Sequence, residues 1–187
     1  MYNDFMLDLE TFSLANNAAV IQIACVPFDI PSKSYSAKEA FNIHIAGHLD
    51  IAAGGAQDKS TMDFWFKPEQ AEALAMIETN QKDPGIALLR FIDFVKEKAN
   101  PNAAFWTLGC VDFIWLENMF KRHRLKMPFS YRQHCDMRTL IRLTRYHAVE
   151  QPAPIEPKHY ALSDCYYQIE SVFAMLNTLQ SPHFTES

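Results

Sequence analysis

Two acidic residues lie where a charge is costly, in the apolar segment of residues 5–10 near the start of the chain. Asp8 and Glu10 are two residues apart, so in a β-strand both carboxylates point to the same face of the sheet. Two adjacent carboxylates repel each other, and one takes up a proton unless a cation lies between them. The pair therefore indicates a cation site, although two acids at a solvent-exposed strand exit give the same pattern.

Three further residues with suitable chemistry lie at the ends of other predicted elements. Asp112 opens a helix after a buried strand and a turn at Gly109, where an acid also suits the helix dipole. Asp164 lies early in the last helix, at the border of an apolar face. His159 precedes it by five residues, about 140° around a helix, and so approaches from the preceding loop. Each of these residues alone also fits a structural role, and their order along the chain is the more informative feature.

The elements that must position these residues follow from hydrophobic periodicity and turn residues. Strands are predicted at residues 5–10, 18–29, 40–46, 103–107 and 132–135, the first three antiparallel. Helices are predicted at residues 69–78, 85–99, 112–123, 136–146 and 159–179, with a loop over residues 48–60. In the second helix, Ile86, Leu89, Phe91 and Phe94 are expected to face inward. This order predicts one α/β domain over residues 1–181, a mixed five-stranded sheet with helices on both faces, and a tail at residues 182–187.

Composition excludes several classes of protein. The chain has 187 residues, a formal charge of −5 and 49% hydrophobic residues, which excludes intrinsic disorder and argues against a broad basic binding patch. No run approaches the roughly 18–20 apolar residues of a membrane span, and the acidic start differs from a signal peptide. The 4 cysteines form no CxxC pair and are typical of reduced thiols, so we expect a cytoplasmic protein without membrane contact.

Three motifs carry a resemblance to a known family. They are DLETFSL with Asp8, WTLGCVDF with Asp112, and HYALSD with His159 and Asp164. In this order they resemble the motifs of the DEDDh (DnaQ-like) 3′–5′ exonucleases, which have the ribonuclease H-like fold. Chain size and the segment TMDFWFKPEQAEA look most similar to phage and prophage single-domain exonucleases and to RNase AS-like exoribonucleases. Val111, and Phe12 with Ser13, depart from the usual motifs without removing an acid.

The resemblance implies a metal-dependent enzyme that removes nucleoside 5′-monophosphates from the 3′ end of single-stranded DNA or RNA. It implies two Mg²⁺ or Mn²⁺ ions, the first held by Asp8, Glu10 and Asp164 and the second by Asp8 with help from Asp112. His159 would accept a proton from the attacking water, as an imidazole does near neutral pH. Relatives include dimers, so a homodimer is expected by analogy.

Substrate contacts are predicted at three further residues, Thr11, Leu14 and Trp65. The resemblance places Thr11 at the terminal 3′ hydroxyl and Leu14 against the base, although both also fit structural roles. Trp65 lies within three consecutive aromatic residues, of which one is expected to stack on a base and others to enter the core. Arginines recur on the predicted helix at residues 136–146, a stripe that fits either phosphate binding or a solvated face.

Two other functions are compatible with the same residues. A non-catalytic module that binds nucleic acid or protein would bind oligonucleotide tightly without metal and without turnover. A hydrolase of small nucleotides would share the site and differ in how its rate depends on substrate length.

Overall fold

The computed structural model describes residues 1–145 and 152–179. Its strands are β1 (Tyr2–Thr11), β2 (Val20–Asp29), β3 (Ser34–Tyr35), β4 (Phe41–His44), β5 (Ala99–Thr107) and β6 (His134–Asp136). Its helices are α1 (Gly47–Ala52), α2 (Lys59–Trp65), α3 (Ala71–Ile77), α4 (Pro84–Lys98), α5 (Val111–Arg122), α6 (Met137–Thr144) and α7 (Ala161–Leu179). Among the helices of these residues, none is long and apolar enough to cross a membrane.

The strands form one mixed sheet in the order β3-β2-β1-β5-β6, with β4 also paired to β2. β1 and β2 form the predicted antiparallel pair, while β5 runs parallel to both β1 and β6. Aspartate side chains begin three of the helices by accepting backbone N–H groups, namely Asp58 for α2, Asp83 for α4 and Asp136 for α6.

Helices cover both faces of the sheet, as predicted. Phe5, Leu7 and Leu9 of β1 point to one face and pack against α4 and α5. Met6 points to the other face and packs with residues of α6 and α7. Because side chains alternate along a strand, Asp8 and Glu10 share the face of Met6 and point towards α7.

Two details differ from the predictions, and one prediction is not tested. The sheet has a sixth strand, β3, which is only two residues long and too short to show an alternating pattern. The predicted loop over residues 48–60 contains most of α1, a helix of 6 residues that is too short for helical periodicity. The predicted tail at residues 182–187 lies outside the described residues.

The buried face of α4 is also rotated by about one residue from the predicted face. Ile86 and Leu89 are 48% and 51% exposed, whereas Leu88 and Val95 are buried with Phe91. Apolar residues occur around much of this helix, so periodicity alone did not decide which of them face the sheet.

Candidate active site

Two elements bring three of the predicted acids together, on the face of the sheet covered by α7. Asp8 and Glu10 project from β1, and Asp164 projects from the first turn of α7. Gln168 lies one helical turn after Asp164, and its Nε2 donates a hydrogen bond of 2.7 Å to Oδ1 of Asp8. The strand period of two and the helix spacing of four therefore place all these side chains in one region.

Asp112 reaches the same region from the other side of β1. The parallel pairing of β1 with β5 extends to Met6 opposite Trp106. Beyond that point, the backbone N–H of Leu9 donates to Oδ1 of Asp112 at 3.1 Å. The carboxylate of Asp112, at the start of α5, thus accepts a β1 backbone N–H group that no longer pairs with β5. This hydrogen bond keeps Asp112, which is 6% exposed, beside β1.

His159 completes the group from the loop before α7. Glu10, His159 and Asp164 each offer one potential ligand atom, and these atoms lie within 4.8 Å of one another. The His159 backbone has a positive φ of 58°, an uncommon conformation for a residue other than glycine. Its imidazole meets the ring of Phe64 edge-on, with 4.9 Å between ring centroids.

A network of polar side chains fixes the start of α7, next to His159. The hydroxyl of Tyr160 accepts a hydrogen bond of 2.8 Å from Asn42 Nδ2 and lies 3.0 Å from Nε2 of His44. The backbone N–H of Ala161 donates to Oε1 of Gln22 at 3.0 Å. Strands β2 and β4 therefore anchor the residues that carry the imidazole into the site.

The pKa values of all four carboxylates are raised, mainly by burial. Burial raises the pKa of Asp8 and of Glu10 well above the usual range, and repulsion from the neighbouring acids raises both further. Burial also raises the pKa of Asp112 to about 7 and that of Asp164 to about 6. Within the described ranges, none of the four forms an ion pair with a lysine or arginine. An oxygen-rich cluster without a compensating cation fits hard divalent metal ions.

The pKa of His159 is shifted in the opposite direction, below its usual value. Partial desolvation, together with the positive charge of the adjacent Lys158, lowers its pKa from the usual value. A lowered pKa favours the neutral form of the ring, which is the form able to accept a proton.

A cavity of about 400 Å³ opens beside Glu10 and His159. Its walls include the predicted Thr11 and Leu14, together with Phe64 and Trp115. Leu14 is 73% exposed, which leaves its side chain available for contact with a ligand. Thr11 is only 5% exposed, and its hydroxyl donates to the carbonyl of Ser13 at 2.7 Å.

The aromatic residues of this cavity differ from the prediction. Trp65 is 2% exposed and its indole N–H donates to the carbonyl of Thr11 at 2.9 Å, so it supports the cavity wall from the core. This corrects the expectation that Trp65 stacks on a base. Phe64, its neighbour, also lines the cavity and contacts the ring of His159 edge-on.

Sequence reasoning did not identify Trp115 or Gln168 as site residues. Trp115 lies three residues after Asp112, and its indole N–H donates to the carbonyl of Ala15 at 2.8 Å, which ties the loop of Leu14 to α5. Gln168 lies four residues after Asp164. Spacings of three and four residues place side chains on the same face of a helix, so the positions of Asp112 and Asp164 could have indicated both residues.

Comparison with solved structures identifies the class of this fold. Cell-death related nuclease 4 (CRN-4) matches with a TM-score of 0.69 and 22% identity over 94% of this chain, which spans 64% of the length of CRN-4. The nuclease domain of 3′hExo, a DEDDh family member bound to rAMP, matches with a TM-score of 0.63 and 13% identity over 94% of this chain and 92% of that one. S. pombe Pop2p, in its Mg²⁺ and Mn²⁺ bound form, matches with a TM-score of 0.59 and 13% identity over 100% and 86% of the two chains. The fold is the ribonuclease H-like α/β fold of DEDDh exonucleases, as predicted.

The family follows from the sequence itself. This chain belongs to the family of Rv2179c-like 3′–5′ exoribonuclease domains, which matches residues 3–176. Its enzymatic class is therefore 3′–5′ exonuclease, and the predicted relation to DEDDh exonucleases is confirmed. The predicted closeness to phage and prophage exonucleases has no support among these matches. No curated protein sequence gives a significant match.

Proposed function

We propose that this domain is a divalent-metal-dependent exoribonuclease that removes nucleoside 5′-monophosphates from the 3′ end of single-stranded RNA. The observation that carries the proposal is the convergence of four uncompensated acids and His159 beside a cavity large enough for a nucleotide. The family description favours RNA over DNA as the substrate.

In this proposal the acids would hold two Mg²⁺ or Mn²⁺ ions. Asp8, Glu10 and Asp164 would bind one ion, and Asp8 with Asp112 would position the other. Such ions offset negative charge on the phosphate and lower the pKa of a water molecule. The metal-bound form of Pop2p supports this assignment because the two proteins share a fold. Gln168 and the Leu9 amide hold Asp8 and Asp112 in place.

His159 acts as the general base, accepting a proton from the attacking water. Its lowered pKa favours the neutral ring, and its position next to Glu10 and Asp164 supports the role. The Tyr160 network and the edge contact with Phe64 hold the ring in position during the reaction.

The terminal nucleotide of the RNA occupies the cavity beside His159. Leu14, Phe64 and Trp115 offer apolar surface to the base, and Thr11 offers backbone and hydroxyl groups near the ribose. The 3′hExo nuclease domain binds rAMP, which supports a nucleoside monophosphate as the ligand. The cytoplasmic location and the homodimer expected from the sequence stay predictions.

The test is degradation of 5′-labelled RNA and DNA oligomers of identical sequence. We expect stepwise shortening from the 3′ end with Mg²⁺ or Mn²⁺, inhibition by EDTA, resistance of 3′-phosphorylated ends, and faster loss of RNA than of DNA. Metal-independent binding without shortening would favour the non-catalytic module instead. Hydrolysis restricted to dinucleotides would favour the hydrolase of small nucleotides.

A further inference from the structure

Helix α6 carries an arginine-lined groove that the proposed chemistry does not use. Met137, Leu140 and Thr144 form the buried face of this helix, and the two apolar residues pack with residues of α7. Its exposed face bears Arg138, Thr139, Arg142 and Leu143, which line a groove of about 290 Å³. We refer to these four residues as the arginine groove.

The two arginines have no acidic partner in the described part of the chain, although the protein carries a net charge of −5. Arg142 is four residues after Arg138, so the two guanidinium groups follow each other along one side of the helix. A guanidinium group presents a planar set of N–H donors that matches phosphate oxygens, and unpaired arginines keep those donors available.

The groove begins beside the acids of the candidate active site. The side chain of Arg138 covers Gly109, in the turn between β5 and α5, so closely that a Cβ at Gly109 would lie 2.8 Å from Arg138 Nε. Gly109 has a φ of +93° and precedes Asp112 by three residues. The positive charge of Arg138 also acts on Asp112, where it lowers a pKa that burial raises.

Asp136 fixes the relation between the groove and this turn. One of its oxygens, Oδ1, accepts the backbone N–H of Gly109 at 3.1 Å and that of Arg138 at 2.8 Å. The first arginine of the groove is therefore held next to the turn that carries Asp112, and Arg142 extends the positive charge away from it by about one helical turn.

The cavity and the arginine groove lie near different members of the acid cluster. The cavity adjoins Glu10 and His159, and the groove adjoins the turn at Gly109, three residues before Asp112. If the last nucleotide of a single strand fills the cavity, its scissile phosphate lies at the acids. The phosphates that follow in the 5′ direction are negatively charged and are best bound by positively charged side chains.

We propose that Arg138 and Arg142 bind the backbone phosphates on the 5′ side of the scissile bond, so that the arginine groove is the track for the undegraded strand. The inference rests on the proposed exonuclease function and adds to it a binding site for single-stranded nucleic acid beyond the terminal nucleotide. Thr139 and Leu143 complete the groove with a hydroxyl group and an apolar side chain that is 60% exposed.

The test compares Arg138→Gln, Arg142→Gln and the double variant with wild type, using an RNA dinucleotide and an RNA dodecamer. We expect each substitution to lower kcat/KM on the dodecamer by about tenfold and to lower it less on the dinucleotide. The slope of log kcat/KM against log salt concentration should become shallower by about 0.7 for each arginine removed. The matched control is Arg90→Gln, an exposed arginine of α4 on the opposite face of the sheet, which should keep the wild-type length and salt dependence.

An unchanged length dependence and salt slope in the double variant would overturn the inference while leaving the exonuclease proposal intact. Arg142→Gln tests the groove without disturbing the turn at Gly109, should Arg138→Gln affect folding. If wild type fails to shorten RNA, the proposed function fails. In that case, binding of a fluorescein-labelled oligomer to the same variants at several salt concentrations tests whether the arginine groove binds the strand, independently of catalysis.

Discussion

Two regions of this molecule bury carboxylates, and they differ in whether a positively charged side chain is paired with the acid. Asp50 of α1 is fully buried and is an ion-pair partner of Arg122 and His123. It also accepts the backbone N–H of Val20 at 2.8 Å. Among the described residues, the acid cluster of Asp8, Glu10, Asp112 and Asp164 forms no ion pair with a lysine or arginine, and it accepts hydrogen bonds from neutral groups such as the Gln168 side chain and the Leu9 backbone.

This difference indicates that Asp50 stabilises the fold, whereas the acid cluster binds a ligand. Asp50 is paired with the guanidinium group of Arg122, so its negative charge is offset within the fold, and its hydrogen bonds tie α1 to β2 and α5. The acids of the cluster repel one another, and burial makes their charged forms still less favourable. A cluster of this kind opposes folding until a cation binds, which is typical of a site that exists for its ligand.

The largest expected effect is the loss of turnover in Asp8→Asn. This substitution removes a carboxylate that both metal ions would share, so we expect no detectable shortening of RNA. The free energy of unfolding without metal should stay equal or increase because a repulsive charge is removed. Activity assays and urea denaturation of the same preparation measure the two effects. Wild-type activity in this variant would contradict the role given to the cluster.

Each region also has a histidine, His159 beside the acid cluster and His123 beside Asp50, and we expect only His159 to take part in catalysis. His159→Ala should slow turnover by about 10²–10⁴-fold, since general-base catalysis contributes roughly that much. Stabilisation of the protein by Mn²⁺ should largely persist. The matched control is His123→Ala, which removes the 2.8 Å contact with Asp50 and should lower stability with little change in turnover. Equal kinetic effects of the two substitutions would refute the distinction.

Asp50→Asn is the structural counterpart of Asp8→Asn. The substitution leaves the Arg122 side chain, which is 10% exposed, without its anion. Breaking a buried ion pair in this way costs about 3–5 kcal/mol. Chemical denaturation should therefore show a large loss in the free energy of unfolding. A loss below about 1 kcal/mol, the size usual for an exposed ion pair, would mean that the pair is not structural.

The smallest expected effect is a dependence of stability on pH in the metal-free protein. Asp112 and Asp164 titrate near pH 7 and pH 6 in the folded chain, compared with about 3.9 in an unfolded one. The folded protein therefore binds more protons than the unfolded chain between about pH 4 and pH 7, so the free energy of unfolding falls as pH rises through that window. Thermal melts in EDTA at several pH values measure it.

Addition of Mg²⁺ or Mn²⁺ should reverse this trend. The ions bind the ionised carboxylates, so the increase in Tm on adding metal should be larger at pH 7 than at pH 5. Asp112→Asn should weaken both the pH dependence and the metal effect. A metal-free protein whose stability rises with pH over the same range would contradict the assigned pKa directions.

Much of the candidate site was predictable from local sequence. Asp8 and Glu10 share a face because the strand period is two, and Asp112 and Asp164 follow turns that start helices. The fold class also followed from the order of the elements, since each long strand or helix has a distinct periodic pattern. Short elements such as β3 and α1 contain too few residues to display one.

The remaining features depend on contacts between distant parts of the chain. Leu9 and Asp112 are 103 residues apart, and Gln168 and Asp8 are 160 apart. Phe64 and Trp65 both line the cavity, but Trp65 is buried and Phe64 is half-buried. This difference depends on how α2 packs over β1, because both residues are apolar and adjacent on a short helix.

Sequence periodicity alone therefore established the α/β fold class and the residue types that could bind metal ions, because it reflects local backbone geometry. Only the tertiary structure decided that Asp50 is neutralised by Arg122 while the acid cluster has no such partner among the described residues. It also decided that Arg138 lies beside Gly109, close to Asp112. The physical reason is that burial and charge pairing depend on distances in space, which a linear order of residues does not contain.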